Sequence, residues 1–408
     1  MKKYIIILAA LIIAAGLFII ILPPILHGEK GDAPPASPPT VTEPEKPVSL
    51  SISAVGDVMV HQPQITAQYD SATETYNFDN NFEYVKKYIA GSDLALCNLE
   101  TTFAGGHYTG YPVFNTPDSL AVALKKAGFD VALTANNHIM DMGVDGMKRT
   151  LKVARDAGLV TAGTHLEGEK DYAIVTAKGV KIGIVAYLYE TPEYDAIPTI
   201  NSNPIPKDAI PLFNTFNYNT LDKDLEKVNK SIQDARADGA EIVICYFHWG
   251  EEYQRSPNEY QQHMAKEAAR YGADVIIASH PHVIQGAEML TDAETGRKVP
   301  VFYSMGNFLS NQREETLDNR YTEQEIIAQV QMEYMKSTKK IVSVKMDAVP
   351  LWVEKYKKAG RDIYAVIPLD DTMDENPALA ESGHLARAKQ ALSDIRSLIG
   401  EEYIRTAE

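Results

Sequence analysis

The feature that most constrains the fold of this chain is a unit that recurs along it: a helix-like segment, a glycine, a short apolar run and a polar motif. Three of these units contain GFDVALT, GAEIVICYF and GADVIIAS, which begin at Gly128, Gly239 and Gly272. Glycine commonly follows a helix because it adopts the left-handed backbone conformation without a steric penalty. The repeated alternation of helical and strand-like segments predicts an α/β fold.

Short apolar runs predict the strands at residues 49–55, 94–97, 131–134, 242–247, 275–278 and 299–303. One helix is expected after Thr116-Pro117-Asp118, and others at residues 144–157, 221–238 and 257–271, each followed by glycine. Residues 172–177 and 181–188 form a predicted hairpin across Lys178-Gly179. A hairpin places antiparallel strands in the sheet, so we expect a mixed sheet.

A polar motif directly follows each of the six predicted strands. The motifs are AVGDVMVH (54–61), LCNLE (96–100), LTANNH (133–138), YFHWG (246–250), ASHPHV (278–283) and YSMGNF (303–308). The ends of many strands lie at one edge of an open α/β sheet, so these motifs can meet there. They supply the carboxylate, amide and imidazole groups of a hydrolytic metal centre: Asp57, Glu100, Asn137, His138, His248, His280 and His282.

Each motif alone has an ordinary structural explanation. A Gly-Asp pair often marks only a turn, and a histidine beside a tryptophan is usually packed. The His280-Pro281-His282 motif is more specific, because proline restricts the backbone between two imidazoles. The clustering of six motifs at strand ends favours a functional site. The remaining histidines in loop or helix contexts, such as His107, His165 and His263, are expected to be solvated.

The N-terminus is expected to be a membrane anchor. Lys2 and Lys3 precede an apolar run from Tyr4 to Leu22, and about 20 apolar residues suffice to cross a bilayer. The lysines favour a cytoplasmic N-terminus, which places the remainder of the chain outside the cell. We predict a single-pass anchor at residues 1–27 and a Pro-rich tether at 28–48. A cleaved signal peptide is the alternative.

Composition excludes one class of partner. The net charge is −16, and the chain has no basic stripe of the kind that binds nucleic acid. The two cysteines, Cys97 and Cys245, lie within predicted strands. Buried free thiols are expected there, with a disulfide as the alternative outside the cell.

Two long loops and a terminal helix complete the prediction. Residues 190–220 are rich in proline, asparagine and aromatic side chains, and form either a lid over the site or a surface excursion. Residues 311–322 form a second candidate rim loop, with Arg313 and Arg320. Residues 377–399 predict an amphipathic helix on the domain surface. The predicted folded domain spans residues 49–369, followed by a helical extension at 370–408.

Taken in order, the motifs GDVM, NLE, NNHxxDxG, HWGxE, SHPHV and SMGNF resemble the CapA (PgsA-like) family of poly-γ-glutamate capsule synthesis. The resemblance covers roughly residues 50–369. More distantly, the series is similar to calcineurin-type metallophosphoesterases. That similarity implies a two-sheet sandwich flanked by helices, with layers in the order α/β/β/α.

The resemblance also implies roles for individual residues. Asp57 and His282 would bind a first metal, Glu100 would bridge two metals, and Asn137, His248 and His280 would bind the second. His138 would act as the acid facing the substrate. Asp141 and Glu251 would orient His138 and His248. The implied cofactor is divalent Mn, Zn or Fe.

One residue departs from the phosphoesterase pattern. Met59 stands where that pattern has a histidine, and a thioether is a poor ligand for hard or borderline divalent ions. The first site therefore loses an imidazole, so that a weakly held, absent or different first metal is expected, with occupancy of one of the two sites as one outcome. His61, two residues later, is a candidate replacement.

Three functions are compatible with the motifs. The first is a membrane-anchored, extracellular metal-dependent hydrolase, phosphoesterase-like, in poly-γ-glutamate capsule synthesis or export. The second is a non-catalytic accessory subunit that binds the polymer or its membrane synthase complex. The third is a surface domain with a vestigial site and another polymer as partner.

Overall fold

A computed structural model describes residues 45–194 and 197–405. Its strands are β1 (Val48–Asp57), β2 (Tyr69–Asp70), β3 (Thr75–Tyr76), β4 (Leu94–Asn98), β5 (Val131–Leu133), β6 (Val160–Ala162), β7 (Ala173–Ala177), β8 (Val180–Tyr189), β9 (Thr191–Tyr194), β10 (Ile197–Ile200), β11 (Asn203–Pro204), β12 (Thr215–Phe216), β13 (Ile242–His248), β14 (Val275–Ser279), β15 (Ala287–Thr291), β16 (Lys298–Phe302), β17 (Gln324–Met335), β18 (Lys340–Lys358) and β19 (Arg361–Pro368). Its α-helices are α1 (Gln62–Gln68), α2 (Lys86–Ile89), α3 (Ser119–Ala127), α4 (Gly143–Asp156), α5 (Leu221–Ala237), α6 (Glu259–Tyr271), α7 (Glu314–Leu317), α8 (Pro377–Ser382) and α9 (Leu385–Ile399).

Two large mixed sheets form the centre of the domain. The first has the strand order β19-β18-β17-β1-β4-β5-β6, in which β1, β4, β5 and β6 are parallel. The second has the order β12-β8-β13-β14-β16-β15, with β7 added to β8. Its strands β8, β13, β14 and β16 are parallel, and the β7–β8 hairpin is antiparallel. The mixed character and the predicted hairpin are therefore confirmed.

Three apolar clusters define the layers. The largest contains residues from both sheets, such as Leu96 and Ile326 from the first and Ile244 and Ile277 from the second, so the sheets pack face to face. A second cluster covers the outer face of the first sheet with α3. A third covers the outer face of the second sheet with α5 and α6. The layer order is α/β/β/α, as the resemblance implies, because each sheet buries both faces.

The six predicted motif-bearing strands correspond to β1, β4, β5, β13, β14 and β16, which confirms the strand–motif pattern. Glycine ends two of the predicted helices in the left-handed conformation, Gly128 after α3 and Gly272 after α6. Both cysteines are buried free thiols.

The C-terminal region differs from its prediction. The single helix expected at residues 377–399 is two helices, because Gly383 adopts a left-handed conformation (φ 73°) and ends α8. Both helices pack on β18, and Leu379 and Ile395 join the cluster between the sheets. Residues 45–194 and 197–405 belong to one compact unit.

The predicted anchor at residues 1–27 lies outside the described residues. Among residues 45–194 and 197–405, no helix is long and apolar enough to cross a membrane.

Candidate metal centre

The polar motifs meet where the parallel strands of the two sheets end. Asp57 is the last residue of β1, and Glu100 lies two residues beyond β4. His248 is the last residue of β13, and His280 directly follows β14. All four side chains are buried, with exposed fractions between 0% and 4%. Electrostatic interactions here are therefore stronger than they would be in water.

A close approach of two backbone segments fixes Asp57. The Asp57 amide donates to the carbonyl of Gly306 (2.9 Å), and the Leu309 amide donates to the carbonyl of Asp57 (3.0 Å). A Cβ at Gly56 would lie 1.9 Å from the Gly306 oxygen, so no larger residue fits there. The YSMGNF motif thus positions Asp57, which explains why it follows a strand without supplying a ligand.

Two buried carboxylates share one amide donor. Asn98 Nδ2 donates to Asp57 Oδ1 (2.8 Å) and to Glu100 Oε2 (2.9 Å). Burial raises the pKa of Glu100 well above its ordinary value, and the charge of Asp57 adds to this effect. Burial acts on Asp57 in the same direction, but the hydrogen bond and charge interaction with His282, together with hydrogen bonds to Asn98 and Glu100, outweigh burial and lower the pKa of Asp57. Asp57 is therefore the more readily ionised of the two carboxyls.

The imidazoles form the other half of the site. His248 Nδ1 lies 3.0 Å from the hydroxyl of Tyr246, and His248 Nε2 lies 2.8 Å from Asn137 Oδ1. The rings of His248 and His280 are 4.9 Å apart. Burial lowers the pKa of His248 well below its ordinary value, and it lowers that of His280 to about 3. Both rings are therefore neutral near pH 7, the form in which imidazole binds metal ions.

Two groups of side chains can hold a metal ion, and they share His282. One contains Asp57, Glu100 and His282, and the other contains Glu252, His280 and His282. Within each group the potential ligand atoms lie within 4.8 Å of one another. Glu100 Oε1 and His280 Nδ1 are buried and have no hydrogen-bond partner among the described residues. Two unpartnered buried ligand atoms in one cluster fit a bound cation, because their desolvation is otherwise uncompensated.

All six predicted ligands therefore belong to one connected cluster. His282 Nδ1 lies 3.0 Å from Asp57 Oδ2. His248 Nε2, which also contacts Asn137, lies 3.7 Å from Glu100 Oε1. Both His280 and His282 have positive φ angles (106° and 57°) on either side of Pro281. Such strained backbone at non-glycine residues is typical of functional sites.

His138 and Asp141 form the predicted pair. His138 Nδ1 lies 2.8 Å from Asp141 Oδ2, which also accepts a hydrogen bond from the Phe114 amide (2.7 Å). The edge of the Phe114 ring packs on His138, with centroids 4.6 Å apart. Asp141 and Phe114 together fix the orientation of the imidazole.

Glu251 does not occupy the orienting position expected of it. It is exposed, and the two nitrogens of His248 instead face Tyr246 and Asn137. The neighbouring Glu252 lies with His280 and His282. The chain turns sharply here, because Tyr253 has a left-handed backbone (φ 65°) and its amide donates to the carbonyl of Pro281 (2.7 Å).

His61 belongs to neither ligand group among the described residues. Its Nδ1 accepts a hydrogen bond from the Asn311 amide (3.2 Å), and its pKa is lowered to about 4, chiefly by burial. Met59 is buried, and its amide donates to the carbonyl of Leu309 (2.8 Å).

Sequence reasoning missed Asn98 and Glu252. Asn98 lies inside the LCNLE motif, and an amide two residues before a carboxylate was the signal that could have found it. Glu252 is the glutamate that matches the HWGxE pattern, in which Glu251 is the variable position. The pattern therefore contains Glu252, although the orienting role was assigned to Glu251, its variable position.

The two predicted rim loops differ in their relation to the site. Tyr189 and Tyr218, at the ends of the 190–220 segment, lie beside it: the Tyr189 ring is 4.7 Å from that of His280, and the Tyr218 hydroxyl accepts a hydrogen bond from the Gly250 amide (2.9 Å). In the other loop, Arg313 is buried against Glu323 (2.8 Å), and Arg320 pairs with Asp394 (2.8 Å). These arginines tie the loop to the domain.

Comparison with known proteins gives the family. The sequence pattern described as "Bacterial capsule synthesis protein PGA_cap" matches residues 51–312. The chain is similar to the "Capsule biosynthesis protein CapA" of Bacillus anthracis, with 29% identity over 64% of this chain and 60% of that protein. It is also similar to the "PGA biosynthesis protein CapA" of Bacillus subtilis, with 29% identity over 64% of each chain. The similarity thus spans less than two thirds of the length of these relatives.

Similar solved structures include a phosphatase from Mycoplasma pneumoniae, with 15% identity and a TM-score of 0.40 over 74% of this chain and 94% of that one. They also include a 5'-nucleotidase from Candida albicans, with 10% identity and a TM-score of 0.39 over 87% of this chain and 58% of that one. Scores of this size establish no shared reaction, and the layer order above rests on the packing of this chain itself. The family pattern, by contrast, covers more than half of the sequence, and the chain belongs to the bacterial capsule synthesis protein PGA_cap family.

Proposed function

We propose that this chain is a membrane-anchored, extracellular hydrolase that uses a divalent metal ion in the synthesis or export of a poly-γ-glutamate capsule. Membership of the capsule synthesis family and the names of its CapA relatives support the capsule role. The strand-end cluster of carboxylates and imidazoles supports the hydrolytic part. The apolar run from Tyr4 to Leu22 supports the anchor.

The observation that carries the metal proposal is the environment of Glu100. Its Oε1 atom is buried without a hydrogen-bond partner, beside Asp57 and 3.7 Å from His248 Nε2. Two buried carboxylates cannot both be ionised at low cost without a positive charge between or beside them. Oxygen and imidazole ligands together suit Mn, Zn or Fe.

Two features favour one firmly held ion over two. Asn98 already satisfies one oxygen of each carboxylate, which reduces the number of oxygen atoms free to act as ligands. Met59 supplies a thioether where the phosphoesterase pattern has an imidazole.

The residues of this chain have separate roles in the proposed reaction. A bound divalent ion would supply positive charge that stabilises negative charge developing on a reacting oxygen. Asp141 holds His138 through Nδ1, which leaves Nε2 to donate a proton to the leaving group of a phosphoester or an amide. Burial of the cluster limits the access of bulk water, which strengthens these interactions.

Metal analysis of the purified protein tests the site. We expect about one Mn, Zn or Fe ion per chain in the wild type, and a loss of at least about tenfold in metal affinity for Glu100→Gln and His280→Ala. His263→Ala is the matched control, because His263 is an exposed histidine paired with Asp222. Equal metal content in all four proteins, or none in the wild type, would show that the cluster is not a metal centre.

A non-catalytic accessory subunit is the second candidate, and the loss of an imidazole at Met59 favours it. Cells that carry His248→Ala together with His280→Ala distinguish the two functions. A hydrolase predicts a changed amount or length of capsule polymer. Unchanged polymer with the variant protein present at wild-type level supports the accessory function.

The anchor and the extracellular location are tested separately. The full chain should stay in the membrane fraction after the membranes are washed at alkaline pH. Protease added to intact cells, from which the outer wall layers have been removed, should cleave its folded part. A variant that begins at Glu45 lacks the predicted anchor and should be absent from the membrane fraction. Recovery of the full chain in the cytoplasmic fraction would contradict this part of the proposal.

A further inference from the structure

A second concave surface lies at the opposite end of the domain from the candidate metal centre. It is a groove of about 840 Å³. Its wall includes Lys298 at the start of β16, Lys340 at the start of β18, and Arg236 and Arg270 near the ends of α5 and α6. The metal-ligand cluster lies at the opposite, C-terminal ends of the parallel strands. The groove is thus a separate site.

The groove is basic in a strongly acidic protein. Six cationic side chains line it and only two acidic ones, Glu241 and Asp274, although the whole chain has a net charge of −16. The cations are Arg236, Arg270, Arg297, Lys298, Lys339 and Lys340. A local excess of positive charge on an acidic protein gives an electrostatic preference for an anionic partner at this place.

The two acidic groups are already engaged by the protein. Asp274 pairs with Arg236 (2.5 Å) and Arg297 (2.9 Å) and accepts a hydrogen bond from the Val243 amide (2.9 Å). Glu241 accepts hydrogen bonds from the Tyr334 hydroxyl (3.1 Å) and the Lys181 amide (2.9 Å). These carboxylates hold the floor of the groove together and do not neutralise its lysines.

Three lysines remain for a ligand. Lys298 Nζ donates only to the hydroxyl of Thr291 (2.7 Å). Within residues 45–194 and 197–405, Lys298, Lys339 and Lys340 form no ion pair with a carboxylate. All three are exposed. Their charges therefore face the solvent at the rim of the groove.

Strand β18, which contributes residues to the wall of the groove, also has an unpaired edge. The first half of β18 pairs with β17 on one side, but β19 pairs with β18 only from Leu351 onward. Between Lys340 and Asp347, the outer edge of β18 has no strand partner in the described part of the chain. Val342 on this stretch is 55% exposed. An unpaired edge can accept an extended amide chain as an added strand.

We propose that this groove binds an extended polycarboxylate with an amide backbone, and that its occupant is a segment of the capsule polymer. The lysines at the rim would meet the carboxylates, the edge of β18 would meet the amides, and Val342 would contact methylene groups. A lipid headgroup, by contrast, would interact only with the positive charges of the lysines. The choice of the capsule polymer as the occupant rests on the capsule role proposed above. The proposal that the groove is a binding site does not depend on the metal centre.

The position of the N-terminus agrees with this proposal. The chain enters the domain at the same end, because Val48 pairs with Tyr334 and the Ser337 amide donates to Glu45 Oε1 (3.2 Å). The proposed tether would therefore join the domain beside the groove.

A binding measurement with matched charge-reversal variants tests the proposal. The probe is end-labelled poly-γ-glutamate of defined length, measured with the full chain by fluorescence anisotropy at low salt. We expect at least about a tenfold loss of affinity when Lys298, Lys339 and Lys340 are all replaced by Glu. The control replaces the exposed Lys207, Lys223 and Lys266 by Glu, which gives the same net charge, and we expect a change within about twofold. If the variant with the three Glu substitutions does not fold, a variant with Gln at the same three positions replaces it.

Other outcomes would overturn the proposal. No binding of the polymer by the wild type, or an equal loss in the groove and control variants, excludes a specific polymer site. Groove-dependent binding to vesicles of phosphatidylglycerol without binding to the polymer assigns the groove to the membrane. The Glu variant of the three groove lysines should keep the wild-type metal content, so failure of the metal centre and failure of the groove are distinguishable.

Discussion

The candidate metal centre and the basic groove lie at opposite ends of the same parallel strands, and they use charge in opposite ways. In the metal centre, Asp57, Glu100 and His248 are completely buried, and each has a specific neighbour. In the groove, Lys298, Lys339 and Lys340 are open to solvent. Charges in the interior interact strongly and demand compensation, whereas exposed charges are screened by water and salt. One end of the domain is therefore suited to one specific ion, and the other to many weak contacts with a long partner.

The comparison predicts its largest effect at the backbone beneath the metal centre. Gly56→Ala would place a Cβ 1.9 Å from the Gly306 oxygen, where neither backbone can move without displacing Asp57. We expect a loss of about 3 kcal/mol or more in the free energy of unfolding, measured by urea denaturation. Gly286→Ala is the control, since among the described residues other than Gly286 and its two chain neighbours no atom lies within 4 Å of the position that its methyl group would take. Equal stability of the two variants would contradict the close packing described above.

A smaller effect is expected from pH on the metal-free protein. Burial lowers the pKa of His280 from 6.5 to about 3, so below pH 6.5 the unfolded chain binds a proton that the folded chain excludes. Stability should therefore fall as the pH drops from about 6.5 toward 3, by about 1.4 kcal/mol per pH unit for this residue. Urea denaturation at pH 7 and pH 5 measures the change. His280→Gln should show a smaller fall, and an unchanged pH dependence would argue against burial of a neutral imidazole.

The smallest effect on stability is expected at the groove. Replacement of Lys298, Lys339 and Lys340 by Gln should change the free energy of unfolding by less than about 0.5 kcal/mol per residue, because these side chains are exposed and form no ion pair within the part of the chain that the structure describes. Salt should separate the two sites further. Raising NaCl from about 0.1 to about 1 M shortens the screening length from about 10 to about 3 Å, and should weaken polymer binding far more than metal binding. Equal sensitivity of polymer binding and metal binding to salt would contradict the contrast between the two sites.

Much of the architecture was predictable because it depends on local pattern. The six motif-bearing strands, the β7–β8 hairpin and the main helices follow from apolar periodicity and from glycine at helix ends. The C-terminal helix was the exception. An apolar stripe continues across residues 377–399, and only the backbone of Gly383 (φ 73°) divides it.

The sequence predicted the location of the site better than it predicted the contacts within it. Strand-end position brought Asp57, Glu100, Asn137 and the three histidines together. It did not distinguish Glu252 from Glu251, because the turn at Tyr253 decides which carboxylate faces the imidazoles. The role of Asn98 was not predictable either, because the contact of one amide with two carboxylates depends on how neighbouring strands pack.

The sequence by itself determined the α/β alternation, the family and the edge of the sheet where the polar motifs meet, because each of these depends on the order and spacing of residues along the chain. Only the tertiary structure decided which side chains touch, which ligand atoms stay unpartnered, and that lysines from distant segments line one groove. The physical reason is that burial and proximity between β16, β18 and the helix ends arise from packing of the two sheets, and no local pattern in the chain encodes them.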